Sequence, residues 1–395
     1  MKRILYFIFL LPSFLMAQKP GITPPEVDER VELMSIAFRL AGAQEYSANY
    51  FPKYVKAIEA HFGPHKDHAV IKYIKKKVRK RGVGYDAVMA MAIGITPPPN
   101  MKPLKPFSES FPEQRWGEKR ATKFLKLLNE FYVESEAEIF FQKNEALYTL
   151  ASERFNKNFE ELDLDWYTKF YGEPPKSTFK IVNGLGNGGG NYGPKVILED
   201  GSELVYAIMG TWSMDSLGQP QYPLESYFPT LLHEFNHSFV NHVVEKYHPD
   251  LRNSGQKIYK VVGKRMRSQA YGSWQTMYAE AVVRAAVVKY LHDHNYNPAY
   301  IRDEISTQIN RGFIWTPELV KELERYDQQQ DQFPNLESFM PEIVKFFDRT
   351  AERIGKIQED IEEQRPKVKS ISPFDNGALN IDPSLKEMTI IFDRP

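Results

Sequence analysis

The spacing of hydrophobic positions changes along the chain, and each change predicts a different kind of element. After a proline-rich lead-in (KPGITPPEV), residues 27–95 carry apolar side chains at three- and four-residue spacing, as in VDERVELMSIAFRLAG and YFPKYVKAIEAHFG. That period predicts several short helices. The prolines of ITPPPNMKPLKP break it and predict a loop. Helical spacing resumes from Arg115 to about Asn158, as two helices or one bent helix. Around Ser177 the pattern shifts to short β-branched and aromatic runs, STFKIVN, PKVILED and ELVYAIMG, parted by Gly-rich or Asp-Gly turns, with LEDGSEL a hairpin signal. From about Pro229 to Gln364 the helical period returns. The last stretch, KSISPFDNGALNIDPSLKEMTIIFDRP, is strand-like again.

This order predicts an α+β, mostly helical fold with a small antiparallel or mixed sheet beside one long helix. The expected organisation is a leader over 1–17, a helical region over 18–114, a main domain over 115–365 and an accessory strand segment over 366–395. That segment resembles the opening strands of the immunoglobulin-like modules found on secreted enzymes. It is too short for a sandwich of about 100 residues, so it is either a truncated module or packs on the main domain.

Composition narrows the setting. Lys2 and Arg3 precede a short apolar run from Ile4 to Met16, and Ala17 offers a small residue for cleavage before Gln18. The run is interrupted by Pro12 and falls short of the ~20 residues that span a bilayer. A cleaved export signal, a secreted or periplasmic location and no transmembrane span are expected. The 395 residues contain no cysteine, which removes disulfides, thiol catalysis, cysteine-ligated zinc and lipid attachment through cysteine. Lys+Arg and Asp+Glu both total 51, so no overall imbalance points to nucleic acid. The basic run Lys72–Arg81 reads as a solvated helix face, with contact to an anionic surface as the other reading.

The candidate chemistry lies in LLHEFNHSFVNHVVEKY. His233 and His237 are four apart, hence on one face of a helix, where both imidazoles can reach one ion. Glu234 is offset by about 100°, which suits a general base acting on water that the metal activates. The motif alone also occurs by chance. Its extended form with Gly at 240 and His at 243 is excluded, because both positions are Val. His242 and His248 leave the His233/His237 face. A third ligand is offered by SWQTMYAEAVVRAAVVKYL, in which every residue between Ala279 and Val288 is apolar except Glu280 and Arg284. A carboxylate there must be protonated, paired or metal-bound. The plainer alternative is an i,i+4 ion pair between Glu280 and Arg284. Tyr271, just before the helix start marked by Gly272 and Ser273, is either a donor to a developing oxyanion or a packing residue.

HEFNH with a glutamate on a downstream helix resembles the gluzincin branch of zinc metallopeptidases, and the pairing with AYGSWQTMYAEAVVRA looks like an uncharacterised secreted bacterial family grouped with them. The resemblance covers roughly residues 115–365. It implies a zincin-like fold, Zn2+ held by His233, His237 and Glu280, Glu234 as base, and a peptide or protein substrate. One position departs from the pattern: where many gluzincins carry Asp four residues after the glutamate ligand, this chain has Arg284. A degenerate, non-catalytic protein of the same fold, binding peptide, glycan or a partner at the cell surface, is the competing expectation. Gly184, Gly186 and Gly189 fit G-x-G-x-x-G, but a strand follows where a nucleotide site needs a helix. By the resemblance, GNGGGNYG is a flexible substrate-side rim; by the residues alone it is equally a hairpin loop.

Overall fold

A computed structural model describes residues 21–175, 177–375 and 377–394; the leader read in residues 1–17 lies outside them. The described chain is mostly helical, with a small mixed sheet and a separate two-stranded antiparallel sheet near its C-terminal end. It forms two compact units, the first holding the described residues up to His242 with Pro334–Leu336, the second Val243–Phe333 and the residues from Glu337 onward.

The first unit opens with β1 (Ile22–Glu26), followed by α1 (Glu29–Leu40), α2 (Pro52–Phe62), α3 (Ala69–Tyr73) and α4 (Asp86–Ile93). β1 corrects the sequence expectation, which took its prolines for a lead-in. Pro24 and Pro25 donate no hydrogen bond, so the strand sits at the sheet edge and its register slips between Thr23 and Glu26. The basic run leaves α3 through a π-helical turn (Ile74–Val78) and a 3-10 turn (Arg79–Arg81). Ile74 and Val78 are buried while Lys72, Lys75, Lys76, Lys77, Lys80 and Arg81 stay exposed, as a solvated face requires.

Next come α5 (Glu118–Glu134) and α6 (Ala137–Glu160), two helices parted at Ser135 and Glu136, the latter at φ 52°. α7 (Leu164–Tyr171) leads to β2 (Thr178–Gly184), β3 (Lys195–Ile197) and β4 (Glu203–Gly210). The sheet order is β1-β2-β4-β3, with β1, β2 and β4 parallel and β3 antiparallel to β4 across the expected hairpin. α8 (Leu224–Lys246) then crosses the unit boundary within its last turns. It starts earlier than Pro229, which lies inside it. The proline supplies no N–H to the carbonyl of Glu225 four residues before it, so the helix lacks that one bond near its start.

The second unit contains α9 (His248–Arg267), α10 (Trp274–Asp293), α11 (Pro298–Arg311), α12 (Thr316–Gln328) and α13 (Leu336–Gln364), then β5 (Val368–Ser372) and β6 (Thr389–Phe392). α10 packs against α9, α11 and α12. Every residue from Glu280 to Leu291 is buried, as an almost wholly apolar helix demands. Lys289, an exception to that pattern, is neutralised by Asp293 at 2.5 Å and Asp327 at 2.9 Å. β5 and β6 pair with each other and are exposed almost throughout. No helix among the described residues is long and apolar enough to cross a membrane.

Candidate metal centre

The sequence of α8 divides it into two faces. Leu231, Leu232, Phe235, Phe239, Val240, Val243 and Val244 are buried, whereas His233, Glu234 and His237 lie on a half-buried face that reaches solvent. Phe235 anchors the buried face against Phe179 of β2, ring centroids 3.8 Å apart, and against Tyr167 of α7 at 4.5 Å. Phe239 stacks on Tyr171 at 4.5 Å, and the Tyr171 hydroxyl donates to the buried Asn236 amide oxygen at 2.8 Å. Each such aromatic buries enough apolar surface to contribute on the order of 2–3 kcal/mol, so the rotation of α8 about its axis is well fixed. The two histidines and the glutamate are thereby held outward.

His233 Nε2 and His237 Nε2 converge to 3.1 Å. Two nitrogens bound tetrahedrally to one zinc, each at 2.0–2.1 Å, would stand about 3.3 Å apart, so the pair fits a shared ion. His237 Nδ1 faces Asn241 Oδ1 at 3.0 Å. A carboxamide oxygen only accepts, which places the imidazole proton on Nδ1 and leaves Nε2 a lone pair for a ligand. Asn241 was not singled out in the sequence, although its position four residues after His237 on the same helix face could have signalled it.

Glu280 is 7 % exposed, and within its own unit Arg284 of α10 and Tyr271 of the preceding turn meet it. Ser273 caps α10 by accepting from Thr276 N, and the turn before it sets Tyr271, whose carbonyl accepts from the Tyr259 hydroxyl at 2.7 Å. Arg284, 4 % exposed, donates through Nη2 to Glu280 Oε2 at 2.9 Å and to Tyr271 Oη at 2.6 Å. Its Nη1 donates to Gln308 Oε1 at 2.8 Å, and Gln308 in turn donates to Glu304 at 2.6 Å. The Glu280–Arg284 pair anticipated as the plainer alternative is therefore present. Burial works against the Arg284 charge, but Glu280 and Tyr271 outweigh it and hold the guanidinium above its ordinary pKa. Burial first, then the Glu280 charge, pushes the Tyr271 hydroxyl up to about 12, so it remains protonated at neutral pH.

Glu280, the carboxylate expected with His233 and His237, belongs to the second unit, while the two histidines converge in the first as a paired-imidazole site. His242 and His248 are not in it: His242 stands 4.0 Å from Glu173, and His248 packs on Trp274. His294 caps the C-terminal end of α10 and is bonded to the Tyr290 carbonyl at 2.8 Å.

The glycine-rich segment also approaches this site. Gly193 runs so close to Glu234 that a Cβ there would stand 2.6 Å from Glu234 Oε2. The segment is no loose rim. Leu185, Gly186 and Asn187 are buried, Asn187 bonds Gly190 O at 2.7 Å and Gly189 N at 3.1 Å, and Asn191 Oδ1 accepts from Gly210 N at 3.0 Å. No helix follows it, so the nucleotide geometry is absent here.

No curated protein and no solved structure matches the chain. Residues 117–346, more than half of its length and including α8, α10 and strands β2, β3 and β4, match a family described as a domain of unknown function (DUF4932), and the chain belongs to that family.

Proposed function

We propose that the chain is an exported zinc-dependent peptidase of gluzincin type, with a zincin-like catalytic domain over residues 115–365. The reading rests on the convergence of His233 and His237 beside Glu234, two imidazole donors of a catalytic zinc, with the buried Glu280 carboxylate proposed as the third ligand. When bound there, zinc supplies Lewis acidity towards a carbonyl and lowers the pKa of water. The chain's own residues do the rest. Glu234, beside the histidines and half-exposed, takes the proton of the attacking water and returns it to the leaving amine. Asn241 fixes the tautomer of His237. Arg284 holds one oxygen of Glu280 and so sets which way its carboxylate faces. Tyr271, protonated at neutral pH, is the donor to the oxygen that gains charge.

Arg284 also favours a second reading. A guanidinium that engages both Glu280 and the Tyr271 hydroxyl competes with a metal for one and with substrate for the other. That suits a catalytically degenerate protein that binds peptide, glycan or a partner at the cell surface. In either case the exposed lysines of Lys72–Arg81 are proposed to meet an anionic surface.

Glu234→Gln separates the readings. The amide keeps the shape and leaves the ligands alone but accepts no proton. Hydrolysis of a peptide library should fall by ~10²–10⁴-fold while zinc content stays at the wild-type level. Equal cleavage by both proteins would refute the peptidase mechanism. Zinc binding without cleavage by either would favour the binding protein.

A further inference from the structure

Glu32 lies in the first turn of α1 and is wholly buried, a position where a carboxylate has to be held by donors. Its donors come from the glycine-rich segment: Leu185 N gives to Oε1 at 2.7 Å and Gly186 N to Oε2 at 3.0 Å. Gly186 leaves room for this, since a Cβ there would stand 2.9 Å from Glu32 Oε2 and 3.2 Å from Ile58 Cδ1. Tyr54 of α2 adds a hydrogen bond to Glu32 and is itself bonded to Tyr148 of α6 at 2.7 Å. Burial drives the Glu32 carboxyl up to about 7, while the Leu185, Tyr54 and Gly186 donors pull it back; Asp28 pushes the same way as burial. The hydrogen bonds therefore favour the ionised form that accepts them.

The same segment passes Glu234 at its other end, through Gly193. Between the two carboxylates it is tied by Asn187 to Gly189 and Gly190 and by Asn191 to Gly210. We infer that Glu32 is the positioning residue of this loop: its carboxylate grips the start at Leu185 and Gly186, and so sets where Gly193 bounds Glu234. The inference deepens the peptidase reading and rests on it for the consequence at Glu234, though the grip on the loop does not depend on it. The grip has a chemical requirement. Two separate amide donors need two acceptor oxygens, and Glu32→Gln offers one, turning a donor towards the other N–H.

Hydrogen exchange of the zinc-loaded full chain, wild type against Glu32→Gln at neutral pH, tests this. The expected result is at least tenfold faster exchange in peptides covering residues 184–193, with wild-type protection in α10 and wild-type zinc content. On a cleaved peptide, kcat should fall about tenfold with KM within about threefold, as misplacing a base beside bound substrate does. Unchanged loop exchange in the folded variant would overturn the inference. If Glu32→Gln loses protection everywhere, Tyr54→Phe decides, because it removes only one donor from Glu32. A several-fold gain of exchange confined to 184–193 supports the inference, and wild-type exchange there overturns it. Should wild type cleave nothing, the peptidase reading fails while the exchange result still decides the grip. Loosened loop exchange with wild-type kcat would leave the grip standing and overturn its effect on Glu234.

Discussion

Glu234 is bounded on one side by Gly193, and that contact offers a probe smaller than any change to the carboxylate itself. Gly193 is exposed, and its φ lies outside the left-handed region, so alanine can take its backbone conformation. The added methyl would stand 2.6 Å from Glu234 Oε2, the far end of a flexible side chain, which must move aside. Gly193→Ala should therefore lower hydrolysis by roughly tenfold, given that a displacement near 1 Å can cost far more. Thermal stability and zinc content should stay at wild-type values. Wild-type kinetics in Gly193→Ala would show that Glu234 is not placed by this loop. None of this was legible in the sequence. His233, Glu234 and His237 announce themselves by helical spacing, and Glu280 by being one of two charges between Ala279 and Val288. The approach of Gly193 and the hydrogen bonds of Glu32 join residues far apart in sequence, which no periodicity records.

At the scale of elements, the sequence is most informative where one physical cause dominates. α10 reads as a buried helix because nearly every residue between Ala279 and Val288 is apolar, and it is buried. The β3–β4 hairpin reads from its Asp-Gly turn, and it forms. β1 escapes the pattern because its prolines argue against strand, an argument that loses force on an edge strand whose register slips across them. The sequence argues for a start of α8 near Pro229 for a related reason: proline favours a first turn, but the helix begins at Leu224 and carries the proline within it. Arg284 shows the limit from the other side. The i,i+4 spacing predicts its bond to Glu280, but not its bonds to Tyr271 and Gln308, which depend on the loop before α10 and on the packing of α11.

For the molecule as a whole, the buried Glu32 links stability to pH. Its folded pKa of about 7 lies above the ordinary glutamate value of 4.5, because burial, with Asp28, outweighs the donors from Leu185, Tyr54 and Gly186. A raised carboxyl pKa means that the folded state binds the proton more tightly than the unfolded one. Its contribution is fully present below pH 4.5 and is lost as pH rises through 7, by up to about 3 kcal/mol. Melting temperatures taken from pH 5 to pH 8 should thus fall more steeply in wild type than in Glu32→Gln, and parallel curves would show that Glu32 is not the group responsible. The proposed zinc centre stands on the claim that Glu280 is a ligand. Glu280 is bound to Arg284 in this structure, so its role as a ligand and its role as an ion-pair partner make opposite predictions. Elemental analysis of purified wild type and Glu280→Ala, each loaded with zinc and freed of excess by gel filtration, tests that claim most directly. About one zinc per chain is expected in wild type and a large loss in Glu280→Ala. Wild-type zinc content in Glu280→Ala would remove Glu280 from the ligand set, and zinc-free wild type would contradict the proposed centre altogether.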